Sequence, residues 1–135
     1  MPDARGEYLL AVDPGRDKCG LAVLNISGDV VGKAIADRDE LDDAVRGLID
    51  EFNPVRIAVG DGTGSLEVRE ALGKISDLEI TVVSERDTTL EARELAWRDQ
   101  PPRGLWRFLP KIFWPTPTEL DAWAAVVIGR RALGI

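Results

Sequence analysis

Apolar and polar positions along this chain change period several times, and the changes predict an α/β domain. Residues 7–12 are a short apolar run that reads as a buried strand. Residues 20–26 and 29–36 read as a second and a third strand, joined by the turn Ser27-Gly28-Asp29, which predicts a hairpin. In residues 39–52, Leu41, Val45, Leu48, Ile49 and Phe52 recur at helical spacing, with Asp39 as the expected N-cap and Pro54 ending the helix. A strand at 55–60 follows, closed by Asp61-Gly62-Thr63-Gly64, then a helix at 65–76 and a strand at 79–84. Residues 88–98 form the next helix, opened by an expected capping box of Thr88 and Glu91. The last helix spans about 118–133.

Three strands in a row, then helices alternating with strands, imply a mixed sheet with helices on both faces. The first strand is then central. Its C-terminal end lies where α/β sheets gather their sites, and Asp13 stands there. Asp61 follows the fourth strand and Glu85 the fifth, so both emerge on the same rim. Asp121 lies near the start of the last helix, which can bring it over that rim.

The segment 99–117 breaks the pattern. It holds five prolines, four aromatic residues and the cations Arg103, Arg107 and Lys111. A structureless loop of that length is uncommon in a compact domain and is often functional. Two readings stay open for it. Trp97, Trp106, Phe108, Phe113 and Trp114 can stack on unpaired bases while the cations hold phosphates. They can equally pack on the sheet or on a second subunit, making a homodimer.

Composition narrows the chemistry. The 135 residues suit one domain, 1–135, with one core. There is no histidine, which excludes Ser-His or Cys-His catalysis and His-ligated zinc. Acid–base or metal chemistry must then rest mainly on carboxylates, and oxygen ligands favour Mg²⁺ or Mn²⁺. Cys19 stands alone and cannot pair internally, which suggests a reducing, cytoplasmic setting. No apolar run is long enough for a membrane span, and MPDARGE lacks the apolar region of a secretory signal. The net charge of −7 argues on its face against a nucleic-acid partner. The charge is uneven, however: from residue 97 onward six basic residues face three acids, and all four tryptophans lie there.

Converging carboxylates without histidine suit a caged divalent cation, since bare like charges would repel. Each acid also has a simpler reading. Asp13 can be turn chemistry before Pro14, and Asp61 turn chemistry before Gly62. Glu85 can pair with Arg86, and Asp121 can close a capping box with Thr118. Arg16, Lys18 and Arg86 lie close in sequence to the acids and can meet phosphate or simply be surface charge. Gly15-x(4)-Gly20 has the spacing of a phosphate loop, but Leu21-Ala22 replaces the required Lys-Ser/Thr.

Three blocks, LAVDPGRDKCGLAV, VVSERDTTLEAR and ELDAWAAVVIGRRAL, resemble the signature blocks of the YqgF/RuvX family. Those proteins are RNase H-like nucleases related to the RuvC Holliday-junction resolvases. The resemblance implies a mixed five-stranded sheet of order 3-2-1-4-5 with strand 2 antiparallel. It implies Asp13, Glu85 and Asp121 as catalytic acids that bind two Mg²⁺ or Mn²⁺ ions; Asp61 stands at a departure from the family pattern and can be an additional ligand or a replacement one. It further implies cleavage of structured RNA, in maturation of the 16S rRNA precursor, or of branched DNA, in resolution of Holliday junctions by a dimer. The acidic body favours RNA. Ser84, Asp87 and the Gly60-Asp61 pair depart from the family pattern, and the altered second block, with Ser84 and Asp87, is the one support for a rival reading, a non-catalytic binding protein that kept the fold. The D-x-G-x(4)-G stretch also resembles the phosphate loop of actin/hexokinase-like ATPases, but 135 residues leave no room for their second lobe.

Overall fold

The computed structural model describes residues 7–135; the expectation drawn from MPDARGE lies, apart from Glu7, outside them. The strands are β1 (Tyr8–Asp13), β2 (Lys18–Asn25), β3 (Val30–Asp37), β4 (Arg56–Gly60) and β5 (Glu79–Val83). The helices are α1 (Leu41–Phe52), α2 (Ser65–Ile75), α3 (Thr88–Asp99) and α4 (Leu120–Ala132). The sheet order is β3-β2-β1-β4-β5. β2 runs antiparallel to β1 and β3, while β1, β4 and β5 are parallel. This is the mixed sheet that the run of strands and helices predicts.

Side-chain alternation sorts β1 onto two cores, which is why the strand reads as continuously apolar. Leu10 and Val12 join Leu21, Val23, Ile57 and Val59 against α1 and α2, through Leu41, Val45, Val68 and Leu72. Leu9 and Ala11 join Ala22, Leu24 and Ala58 against Ala125, Val126 and Ile128 of α4. Alanines on that side let α4 lie close to the sheet. A β-carbon on Gly129 would stand 2.5 Å from Leu24 Cδ1 and 3.2 Å from Ala11 Cβ. α3 packs outside α4, with Ala92 against Ala124 and Val127.

The β2–β3 hairpin forms where the turn residues place it. Asn25 Oδ1 accepts from the backbone N–H groups of Ser27 and Asp29, each at 3.0 Å, and Gly28 takes a φ of +88° that a glycine adopts without strain.

The expected caps and the starts of α1 and α4 are corrected, whereas α2 and α3 begin at Ser65 and Thr88, where the pattern places them. Asp39 sits in a 3₁₀ turn, Arg38–Glu40, ahead of α1, and α1 starts without a side-chain cap. β3 runs on to Asp37, and Arg38 N bonds Asp17 O, so the chain is still tied to β2 at the expected cap position. Thr88 is the first residue of α3, not its cap, and its hydroxyl donates to Glu85 O at 2.8 Å. Glu91 pairs instead with Arg131 of α4. Thr118 and Asp121 make no capping box: α4 starts at Leu120, after Glu119 in a left-handed conformation. The segment 99–117 is not structureless, since it contains 3₁₀ turns at Gly104–Phe108 and Lys111–Phe113. Among the described residues no helix is long and apolar enough to cross a membrane.

Candidate functional site

Asp13 ends β1 and lies opposite Gly20 of β2 in the antiparallel register. Its place in the alternation puts it on the α4 side of the sheet. Gly20 has no side chain there because the first turn of α4 fills the space: a β-carbon would overlap the carbonyl of Asp121. One close approach therefore seats the start of α4, and with it Asp121, beside Asp13. Lys33 of β3 holds the same turn from the far side, with Nζ 3.0 Å from Glu119 Oε2 and 4.2 Å from the Trp123 ring centre.

Glu85 arrives from the other direction. It lies two residues beyond β5, and its carboxylate occupies the volume that side chains on Gly60 and Gly62 would fill. Asp61, between those glycines, holds the loop. Its N–H donates to Val83 O at 2.9 Å, and its Oδ1 accepts from Glu85 N at 2.9 Å. The loop Gly60–Gly62 thus forms a template for Glu85, with a carboxylate clasping its backbone and two missing side chains admitting its own.

The two acids meet. Burial, the nearby Glu85 charge, a side-chain hydrogen bond with Glu85 and the charge of Asp121 push the Asp13 carboxyl up to about 8. Two carboxylates so close cannot both ionise cheaply in a partly buried place, so one proton is held there. Glu85 Oε1 is buried and has no hydrogen-bond partner among the described residues. An orphaned buried carboxylate oxygen is costly, and a cation relieves that cost. The donors are all oxygen, which suits a hard ion such as Mg²⁺ or Mn²⁺.

Asp121 is close enough for its charge to act on Asp13, but its Oδ2 stands 3.9 Å from Lys18 Nζ. As the side chains lie, no three Asp, Glu or Cys among the described residues form a group that would hold a metal. Asp13 and Glu85 are brought together, Asp121 stands beside them on a partly exposed side chain, and Asp61 serves the Glu85 backbone. No ion pair joins Glu85 to Arg86 among the described residues. Arg16 and Arg86 are exposed in the loops that follow β1 and β5. Arg103, Arg107 and Lys111 are exposed in the α3–α4 connection. Cys19 is a buried core residue whose thiol burial pushes up.

Sequence reasoning missed Gly20, Gly60, Gly62 and Lys33 as parts of the site. The glycines do stand in LAVDPGRDKCGLAV and VGDGTG, yet nothing local shows what each one lets in.

The fold defines the class. No family model matches the chain, and no curated protein does. Solved structures do match. RuvC of Thermus thermophilus in complex with a Holliday junction substrate is 14% identical, with a TM-score of 0.57 over 95% of this chain and 96% of its own. A second Thermus thermophilus RuvC structure is 14% identical, with a TM-score of 0.50 over 90% of both chains. A ROK family transcriptional regulator is 16% identical, with a TM-score of 0.46 over 67% of this chain, which spans only 31% of that protein. The chain has the RNase H-like fold of RuvC.

Proposed function

We propose that this chain is a divalent-metal-dependent nuclease of the YqgF/RuvX kind, hydrolysing phosphodiester bonds in structured RNA, with processing of the 16S rRNA precursor in the cytoplasm as its task. The observation that carries the reading is the meeting of Asp13 and Glu85 around a buried oxygen with no hydrogen-bond partner among the described residues, in a cradle kept open by Gly60 and Gly62. Asp13, Glu85 and Asp121 would hold Mg²⁺ or Mn²⁺. When bound, such ions neutralise the carboxylates, make water nucleophilic near neutral pH and stabilise the leaving oxygen. The protein's part is placement. Asp13 stands at the centre, fixed by the β1 ladder. Asp61 fixes the approach of Glu85 and does not need to ligate. Asp121 leaves Lys18 to complete the set, and Lys18 is then free, with Arg16 and Arg86, to meet the phosphates on either side.

A second reading is cleavage of branched DNA by a dimer. Its support is the likeness over almost the whole chain to RuvC solved on a Holliday junction. A third, binding without turnover, draws on the present separation of Asp121 from the paired acids.

The test is direct. Purified protein with Mg²⁺ or Mn²⁺ is incubated with labelled single-stranded RNA, single-stranded DNA and a four-way junction, alongside Asp13→Asn. RNA cleavage lost in Asp13→Asn supports the proposal. Cleavage of the junction alone, by a dimer, supports the second reading, and binding with no cleavage by either protein supports the third.

A further inference from the structure

Between α3 and α4 the chain forms a flap that stands outside both cores. Leu105, Phe108, Ile112 and Phe113 are 80%, 73%, 86% and 62% exposed. So dense a run of exposed large apolar side chains marks an interaction surface. The flap's stem is nonetheless held. Trp114 meets Trp97 of α3 edge to face, ring centres 5.1 Å apart, and its indole N–H donates to Leu109 O at 2.9 Å. Lys111 Nζ lies 2.8 Å from Glu94 Oε2. These contacts fix the stem and leave the apolar side chains outward.

A groove of about 810 Å³ runs along the flap, lined by Trp97, Arg103, Arg107 and proline-rich chain, with Asp99 as its acid. Arg103 and Arg107 meet no carboxylate at ion-pair distance among the described residues. Arg107 lies instead over the Phe108 ring, 5.0 Å from its centre.

Charge decides between two occupants. A second copy meeting the flap in a two-fold, same-patch contact would bring two patches of unpaired positive charge, Arg103 and Arg107 of each copy, into one interface with Asp99 as the acid beside them. A head-to-tail contact with the acidic body would remove that repulsion but build rings or open filaments, with the flap of each copy on the body of the next. A single strand of nucleic acid avoids both problems, because it presents negative phosphates and flat bases in alternation. We propose that the flap grips an unpaired stretch of nucleic acid, stacking bases on Phe108 and Phe113 and holding phosphates with Arg103 and Arg107. This rests on the nuclease reading only for the further statement that the gripped strand is the substrate.

The test measures binding without metal. Labelled oligo-U and oligo-dT of about 20 nucleotides and a blunt duplex are titrated by fluorescence anisotropy in EDTA, with sedimentation to read the oligomeric state. The wild type should bind the single strands more tightly than the duplex. Phe108→Ala/Phe113→Ala should weaken single-strand binding at least about tenfold with an unchanged melting temperature. Arg103→Ala/Arg107→Ala should lower the slope of log affinity against log salt by about 1.4. Unchanged affinity in both variants, or equal binding of the duplex, overturns the proposal. So does a wild-type dimer that Phe108→Ala/Phe113→Ala dissociates, which would make the flap a subunit interface. Flap-dependent binding with no cleavage on adding Mn²⁺ leaves this proposal standing and removes the nuclease reading. Cleavage that is intact while the flap variants bind normally does the reverse.

Discussion

Gly62 and Glu85 share one volume: a β-carbon on Gly62 would overlap Glu85 Oε2, just as one on Gly60 would overlap Oε1. Gly62→Ala must therefore push the Glu85 carboxylate out of its place beside Asp13. On the proposed nuclease reading, cleavage should then fall by about 100-fold or more, the cost of misplacing a reacting group by about 1 Å. The rise in melting temperature on adding Mn²⁺ should vanish with it. A variant that keeps both would show that Glu85 is not needed at that position.

Asp61 separates ligation from positioning. Its Oδ1 accepts the Glu85 N–H, and an asparagine can accept the same bond. Asp61→Asn should stay close to wild-type turnover, whereas Asp61→Ala should lose about 10- to 100-fold, as supporting residues around ligands do. If Asp61→Asn is as inactive as Asp13→Asn, then Asp61 is itself a ligand.

The raised Asp13 carboxyl gives the metal-free protein a pH dependence of known sign. In the unfolded chain the group ionises near 3.8, and in the folded chain near 8. Between those values the folded state holds the extra proton, so this group's contribution to stability falls as pH rises from about 4 to about 8 and then levels. Urea denaturation in EDTA should show wild type losing stability relative to Asp13→Asn across that window. Saturating Mg²⁺ or Mn²⁺ should remove the difference in slope, because the ion takes the proton's place. Parallel curves in EDTA would mean that Asp13 and Glu85 do not share a proton.

Two glycines test how α4 is seated. Gly20→Ala would drive a methyl group into the Asp121 carbonyl and should destabilise by at least about 1–3 kcal/mol, the range for overpacking. Gly47→Ala, on the exposed side of α1 with nothing within 4 Å of the added carbon, should instead stabilise by about 0.5–1 kcal/mol. Chemical denaturation of the two variants measures both. Equal and small effects would show that α4 can shift away from β2 at no cost.

The strands and the central place of the first were legible because burial has a period, while the full order 3-2-1-4-5 is what the family resemblance implies. Leu9 to Val12 read as one apolar run only because helices cover both faces of β1, and the hairpin is written in Asn25 to Asp29. The shared rim of Asp13, Asp61 and Glu85 was legible for a related reason. Parallel strands carry their C-terminal residues to one edge, whatever packs on the sheet. The helix caps were not legible, nor were the starts of α1 and α4. Thr88 and Thr118 have the residue types of caps, but Asp87 and Glu119, both left-handed, take the cap positions.

The amino-acid order alone determined which segments bury themselves, that the first strand lies at the centre of the sheet, and which acids reach its C-terminal rim. Those properties follow from periodicity and chain direction, which are local. Only the folded molecule decided that Gly20 admits α4, that Gly60 and Gly62 admit Glu85, that Asp61 clasps a backbone N–H, and that Asp121 leans to Lys18. It also decided that Phe108 and Phe113 face outward. These are meetings between atoms far apart in the chain, set by how closely helices and loops can approach, and no spacing rule along the sequence contains that distance.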